Sequence, residues 1–137
     1  MGLVMAAAAL FELSPHEPAY QGKRLSEWLT EKSFSAITGL AQIGPDAVLP
    51  LVQCLTNETP YLRSAAMISL SMIKPENETA LRAVVERLDD RDNRVRATAA
   101  NALRSFWNKP ELVVPPLIKG LSDSDGTVRV QDRKSVV

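Results

Sequence analysis

The chain has 137 residues, 45% of them hydrophobic and 5% aromatic, so it is long enough for one domain with a buried core and too apolar to be disordered. Sixteen basic residues balance sixteen acidic residues, and a chain without net charge has no overall field that attracts nucleic acid or an anionic membrane. The single cysteine excludes an internal disulfide bond and a zinc site built from several cysteines.

Residues 1–19 consist of an apolar segment and a linker. The apolar run Leu3–Phe11 is far shorter than the ~20 residues of a membrane-spanning helix, and no positive residues precede it as they do in a signal peptide. Two interpretations are open: the end of a signal or anchor helix, or a short helix packed on the first repeat. The localisation is accordingly open between the cytoplasm and an exported or membrane-anchored position. Ser14–Pro18 breaks helix and predicts an exposed linker.

Two short helices are predicted next. Leu25, Trp28 and Leu29 share one helical face, and we expect Trp28 to cover the end of the core. The apolar stripe of Ser33–Ile43 predicts a second helix. Gly44–Pro45 ends that helix and begins the following one, because proline is favoured at the first helical position.

A longer helical pair follows. Its first helix carries the apolar residues Val48, Leu49, Leu51, Val52 and Leu55. Cys54 lies in this apolar helix, which predicts a buried thiol. Thr59 and Pro60 are predicted as the N-cap and first residue of the second helix. The apolar stripe of that second helix is Leu62, Ala65, Ala66, Ser69, Leu70 and Ile73.

The same pattern returns at a fixed spacing of 33 residues. The recurring positions are Leu55, Leu88 and Leu121, then Asn57, Asp90 and Asp123, then Arg63, Arg96 and Arg129. Asp92 and Asp125 replace Thr59 as N-caps. A fixed period of this size marks an array of stacked helical pairs, none of which can bury its apolar face alone.

The period predicts an all-α fold of about four helical-hairpin units in residues 20–137. The predicted units are about 20–44, 45–74, 75–109 and 110–137, the first shortened and the last truncated. We expect the last unit to leave Ile118, Leu121, Val128 and Val136 partly uncovered, which predicts either further repeats or self-association at that end.

In Val84–Leu103 a first helix ends in Leu, an acidic turn follows, and Val-Arg opens an alanine-rich helix closed by Leu. The pattern recurs in Leu117–Arg129 and more loosely in Leu51–Leu70. This pattern covers about Ser33–Arg129 and resembles HEAT-repeat proteins, in particular the short bacterial type related to the bilin-lyase HEAT-like repeats. The resemblance implies an α-α superhelix, a HEAT/armadillo-like solenoid with its second helices on the concave side. Tyr20–Leu29 is also similar to a segment found just outside the membrane anchor of large exported bacterial HEAT proteins.

The resemblance also implies a structural ladder between turn acids and helix arginines. The implied pairs are Asp90 with Arg96, Asp123 with Arg129, and Asn57 with Arg63. Charge-assisted hydrogen bonds of this kind would hold each turn against the next repeat. Because Asn57 is neutral, we expect its rung to be weaker.

A candidate partner-binding face follows from the same alignment of second helices. Its residues are Tyr61, Ile68, Arg94, Asn101, Arg104 and Lys134. Tyrosine and arginine often anchor protein interfaces, although an ordinary solvated helix face would show the same pattern. Trp107, just after the third unit's second helix, is expected to plug the core or a junction between repeats.

The sequence offers no catalytic set, metal site or cofactor site. The one histidine, His16, lies between prolines in the predicted linker. Asp89, Asp90 and Asp92 crowd one turn, but a calcium loop is longer and ends in a bidentate Glu. These acids are better explained as caps and ladder partners.

The sequence therefore predicts a non-enzymatic scaffold that binds another protein, of unknown identity, through the concave face. One alternative is a solenoid that binds the nucleic-acid backbone through Arg94, Arg104 and Lys134, although the balanced charge argues against it. The other alternative is an accessory subunit of an enzyme such as a bilin lyase. It rests on resemblance alone, and fold analogy does not establish activity.

Overall fold

The computed structural model describes residues 17–31, 33–74, 76–106 and 108–129. The apolar N-terminal segment, His16, Trp107, Lys134 and Val136 lie outside the described residues, so the expectations for them stay predictions. The described helices are α1 (Leu25–Thr30), α2 (Phe34–Ile43), α3 (Val48–Cys54), α4 (Pro60–Ile73), α5 (Glu78–Glu86), α6 (Asn93–Leu103) and α7 (Pro110–Gly120). Short 3₁₀ turns cover Gly44–Ala47, Arg87–Asp89 and Arg104–Phe106.

The helices form consecutive pairs that stack on one another. α1 packs on α2, α3 on α4 and α5 on α6, while the second helices α2, α4 and α6 contact each other in that order. α7 contacts both α5 and α6 and precedes a last helical turn at residues 126–129. The predicted all-α array of stacked helical hairpins is therefore confirmed.

A small β-hairpin before α1 was not expected from the sequence. Strand β1 (Ala19–Tyr20) pairs antiparallel with β2 (Lys23–Arg24), and both turn residues between them have positive φ angles. The hairpin leads directly into α1, where the Glu27 carboxylate accepts a hydrogen bond from the Arg24 backbone N–H at 2.6 Å. Strands of two residues are too short to show an alternating pattern in the sequence.

The core runs through all the described helical pairs. Its largest fully buried side chains include Leu25, Leu40, Leu51, Leu55, Met67, Leu70, Leu81, Leu103 and Leu117. Cys54 is buried as predicted, and burial raises the pKa of its thiol to about 11. Such a thiol stays protonated at neutral pH and is a poor nucleophile.

Leu49 lies outside the buried stripe of its helix, and the expectation that Val128 is partly uncovered was wrong. Leu49 is exposed, because Val48, Leu51 and Leu55 at spacings of three and four residues define the buried stripe of α3. Val128 is buried like Val95, which holds the same third position in its helix. The third residue of a second helix therefore faces the core even in the last described helical turn.

Trp28 is partly buried against the core and lies across α2 at Gly39. A Cβ atom at residue 39 would approach the indole ring to 2.8 Å, closer than such contacts occur. Gly39 therefore allows the ring to lie directly on the helix backbone. Lys23 from the hairpin covers the other side of the ring, with its ammonium 4.3 Å from the ring centroid.

One stretch, Phe34–Cys54, is long and apolar enough to cross a membrane by length and composition. In the fold it is two helices, α2 and α3, and Gly44 between them has a φ angle of 79°. Leu40 and Leu51 from the two helices are fully buried in the core. Packing inside the helical array accounts for part of this apolar stretch, while Phe34 and Leu49 within it are exposed.

Candidate interaction face and its supporting ladder

The turn between the two helices of a unit has the same construction in three successive units. Its first acid or amide accepts a hydrogen bond from the backbone N–H two residues later. The three bonds are Thr59 N to Asn57 Oδ1 (2.9 Å), Asp92 N to Asp90 Oδ1 (2.9 Å) and Asp125 N to Asp123 Oδ1 (2.8 Å). Asp92 and Asp125 then cap the following helix with their own carboxylates. Side-chain bonds of this kind fix the turn before any contact with a neighbouring unit.

The arginine four residues into each second helix binds across the junction to the next unit. Arg63 donates from Nε and Nη2 to both carboxylate oxygens of Asp90, at 2.8 and 2.7 Å. Its Nη1 donates to the main-chain carbonyls of Asn57 and Glu58. The Arg63 and Asp90 side chains are only 3% and 4% exposed. One guanidinium therefore joins the turns of two adjacent units in a buried, bidentate pair.

Arg96 repeats this arrangement one unit later. Its Nε and Nη2 bind the carboxylate of Asp123 at 2.8 and 3.1 Å, and its Nη1 donates to the Asp90 carbonyl. The two side chains are 16% and 12% exposed, so this rung is more accessible to water than the first.

The expected pairing within each unit was therefore wrong. Each arginine does contact the turn of its own unit, but at main-chain carbonyls, and its carboxylate partner comes from the following unit. The reason is geometric. The carboxylates of Asp90 and Asp123 each accept the backbone N–H of their own turn, and their remaining lone pairs point across the junction toward the arginine of the preceding unit. Asn57 does not weaken the Arg63 rung, because Arg63 uses only the carbonyl of Asn57.

The ladder sets the charge state of its acids. Burial acts to raise the pKa of Asp90, but hydrogen bonds from Arg63 and from the Asp92 backbone N–H outweigh it and hold the pKa below its ordinary value. The hydrogen bond from Arg96 lowers the pKa of Asp123. Both acids are therefore ionised at neutral pH, as a charge-assisted ladder requires.

The proposed binding residues lie along the stacked second helices. Tyr61 at the start of α4 donates from its hydroxyl to the Glu31 carbonyl (3.1 Å), which joins the second and first units. Ile68 is partly exposed on α4, and Asn101 is exposed on α6. Arg104 is exposed in the 3₁₀ turn that follows α6 rather than within the helix. Lys134 lies outside the described residues.

Two of these residues meet at one cavity. Tyr61 of α4 and Arg94 of α6 line a depression of about 320 Å³. The other lining residues are Thr59, Pro60 and Ser64. The alignment of Tyr61 with Arg94 in the sequence thus corresponds to proximity between neighbouring units.

Arg94 is exposed but is not a free cation. Its guanidinium pairs with Asp92 at 3.2 Å, and this hydrogen bond lowers the pKa of Asp92. The pair presents a dipole at the rim of the cavity rather than an isolated positive charge. This arrangement is less suited to a phosphate backbone than an uncompensated arginine would be.

Phe34 is a candidate that sequence reasoning missed. It is the first residue of α2 and is 77% exposed, three residues after the Glu31 carbonyl that receives the Tyr61 hydroxyl. The sequence predicted a helix there but gave no reason for an aromatic side chain outside its buried stripe. An exposed aromatic residue three positions after the Tyr61 contact makes the first unit a candidate part of the face.

Chemical sites of other kinds are not visible in the part of the chain that the structure describes. No group of three or more His, Cys, Asp or Glu residues within residues 17–31, 33–74, 76–106 and 108–129 is arranged to hold a metal ion. The acids of the turns are engaged by arginines and by backbone N–H groups. The structural ladder therefore explains why acids cluster in these turns.

The comparisons with known proteins identify the type of repeat. A profile of the family described as HEAT repeats matches residues 25–104, which is more than half of the 137 residues. No curated protein matches the chain. The matched residues contain α1 to α6 and the Arg63–Asp90 rung. The chain therefore belongs to the HEAT-repeat family.

Proposed function

We propose that the protein is a non-enzymatic scaffold that binds another protein along the face formed by its second helices. HEAT repeats generally mediate protein–protein interaction or scaffolding. The observation that carries the assignment to this face is the cavity between Tyr61 and Arg94, to which two adjacent units contribute. An occupant of that cavity would contact both units at once.

The composition of the face supports a protein partner. Phe34 and Ile68 offer apolar surface, Tyr61 offers a ring held in place by its hydroxyl, and Arg94 and Asn101 offer polar groups. Aromatic residues and arginine are enriched at the centres of protein interfaces. The Arg63–Asp90 pair joins the two units that carry Tyr61 and Arg94, and such a preformed arrangement lowers the entropy cost of binding.

Site-specific crosslinking tests this assignment. A photoreactive benzoyl-phenylalanine is placed at Ser64, inside the cavity, in the full chain expressed in its own cells. A matched control carries the same group at Arg82, which is exposed on the first helix α5. We expect a discrete crosslinked protein from Ser64, its loss when Tyr61→Ala is added, and no such product from Arg82. Equal products from both positions, or none from Ser64, would refute the assignment.

Two other functions gain no support from the geometry. A phosphate-binding solenoid needs uncompensated cations, and Arg94 is compensated by Asp92. An enzyme subunit needs a reactive group, and the pKa of Cys54 is raised to about 11 by burial in α3.

A further inference from the structure

A mostly apolar groove lies on the side of the array opposite the turns of the ladder. We call it the edge groove; its volume is about 430 Å³, and its lining residues are Pro45, Val48, Ile73, Lys74, Glu76 and Asn77. Val48 begins α3 and Ile73 ends α4, while Asn77 precedes α5, so the groove lies at the junction between the second and third units. Described helices precede and follow this junction, so the groove is not an open end of the array.

Lys74, at the rim of the edge groove, is a cation without a carboxylate partner in the described part of the chain. It ends α4 with a φ angle of 50°, in the left-handed conformation that favours glycine. Glu76 lines the same groove, but no ion pair of Lys74 is present within residues 17–31, 33–74, 76–106 and 108–129. A ligand that suits the edge groove therefore combines apolar side chains with a carboxylate.

The first described residues lie on the same side of the array as the edge groove. Short connections join α1 to α2, α2 to α3 and α3 to α4, so consecutive helices run antiparallel, and the start of α1 lies on the side where α2 and α4 end. The Ser26 backbone N–H at the start of α1 donates to the Glu17 carboxylate. The Leu25 backbone N–H donates to the Pro18 carbonyl at 2.9 Å. The chain before Glu17 therefore joins the array on the side that holds the groove.

The sequence before Glu17 has the composition that the edge groove requires. Met1–Leu13 contains no lysine or arginine, and its one charged side chain is Glu12, between Phe11 and Leu13. Glu12 lies five positions before Glu17, and an extended chain of this length spans up to about 17 Å. Packed neighbouring helices are about 8–10 Å apart, so this length reaches from the first unit to α4. The tether also favours this segment over a free partner, because it gives a high effective concentration.

We propose that the chain's own residues Leu10–Leu13 occupy the edge groove. Their apolar side chains cover Val48 and Ile73, and the Glu12 carboxylate pairs with Lys74. The segment then forms a strap from the first unit to the junction between the second and third units. It crosses the first junction, for which α2 supplies no arginine. In this arrangement the apolar run packs on the array and is not a membrane anchor, and the strap is separate from the partner-binding face proposed above.

Photocrosslinking in the purified full chain tests the strap. Benzoyl-phenylalanine replaces Glu76 at the edge groove or, as the matched control, Glu58, which is an exposed glutamate in the turn on the opposite side. We expect mass spectrometry to find a crosslink within one chain from residue 76 to Leu10–Leu13, and none from residue 58. Phe11→Ser should lower the yield at least about tenfold, because the burial of an aromatic side chain is lost.

Charge exchange tests the ion pair separately from the apolar contact. Glu12→Lys and Lys74→Glu should each lower the yield of the crosslink, because each brings like charges together. The double variant Glu12→Lys, Lys74→Glu restores opposite charges and should recover most of the yield. Circular dichroism checks that each variant keeps the helical content of the parent chain. A double variant that is as poor as the single variants would refute the pairing of Glu12 with Lys74.

Other results would overturn the strap as a whole. One is the absence of a crosslink from residue 76 to Leu10–Leu13, or an equal yield from residue 58. Another is a crosslink that joins isotopically labelled and unlabelled copies, which would assign the edge groove to a second copy. A third is recovery of the chain with membranes and a crosslink from residue 76 to another protein, which would favour the anchor. Crosslinking at Ser64 reports on the other face and is unaffected by any of them.

Discussion

The junction between the first and second units differs in chemistry from the junction between the second and third. At the first junction, the Tyr61 hydroxyl donates to the Glu31 carbonyl, and the Ser69 hydroxyl shares its proton between the Ile37 carbonyl at 3.2 Å and the Ala65 carbonyl of its own helix at 2.9 Å. At the second junction, Arg63 makes a buried, bidentate ion pair with Asp90. Neutral hydrogen bonds contribute about 0.5–1.5 kcal/mol each, whereas breaking a buried ion pair costs about 3–5 kcal/mol.

The difference shows how a repeat protein can stack its units with or without charge. In the first unit, Ile37 holds the fourth position of its second helix, where later units have Arg63 and Arg96. No arginine from α2 therefore faces the turn of the second unit, and that turn carries the neutral Asn57. The neutral Asn57 thus follows a helix that offers no cation at its fourth position.

The largest expected effect comes from Arg63→Ala. Removing the guanidinium leaves Asp90 buried without its partner, so we expect the free energy of unfolding to fall by about 3–5 kcal/mol. Arg96→Ala should cost less, about 1–3 kcal/mol, because its rung is more exposed. Urea unfolding followed by circular dichroism measures both, with the exposed Arg82→Ala as control. Equal losses at Arg63 and Arg96 would contradict the ranking by burial.

Acid should act on the two junctions that carry an arginine–aspartate pair before it acts on the first junction. The pKa values of Asp90 and Asp123 lie below their ordinary range, so the unfolded chain binds more protons than the folded chain in acid. Above about pH 4, Asp90 and Asp123 make their full contribution to the free energy of unfolding. This contribution is lost as the pH falls through the pKa values that the two carboxyl groups have in the folded chain. The double variant Asp90→Asn, Asp123→Asn should be less stable at pH 7 and show a shallower decline between pH 4 and pH 2. The same slope in both proteins would argue against the ladder as the acid-sensitive element.

Gly39→Ala tests the first unit, which relies on packing. The added methyl group would collide with the Trp28 ring at 2.8 Å, and overpacking costs about 1–3 kcal/mol. Alanine regains about 1 kcal/mol of helix propensity, so we expect a net loss of up to about 2 kcal/mol and altered tryptophan fluorescence. Gly126→Ala is the matched control, since its nearest neighbour is the flexible end of Arg129 at 3.4 Å. A stabilised Gly39→Ala protein would show that the ring is free to move aside.

The features that sequence reasoning predicted correctly are local ones. The 33-residue period, the caps at Asp92 and Asp125 and the buried stripes of the helices depend on residues within a few positions of one another. Helical periodicity and capping express such local rules directly. The stacking of the units then follows, because each apolar stripe needs a neighbour to cover it.

The pairing in the ladder could not be predicted in the same way. In this repeat, Arg96 has two acids at fixed separations. It lies 6 residues after Asp90 of its own unit and 27 residues before Asp123 of the next unit. The repeat contains both separations equally often and does not distinguish them. One signal pointed to the correct choice: the neutral Asn57 follows the unit whose second helix has Ile37 rather than arginine at its fourth position. No comparable pattern in the sequence predicted that Phe34 is exposed. None predicted the two-residue strands either.

The smallest expected effect is that of Asn57→Asp, and it separates the two pairing schemes. If the acid paired within its own unit, the new charge would strengthen the Arg63 rung. In the observed geometry, Arg63 takes only the carbonyl of residue 57, and Ile37 offers no cation, so we expect a change of less than about 0.5 kcal/mol. The reverse exchange, Asp90→Asn, removes a charge from the buried pair and should cost several times more. Comparable effects of the two exchanges in urea unfolding would show that position 57 carries a rung after all, and the first junction would then resemble the second.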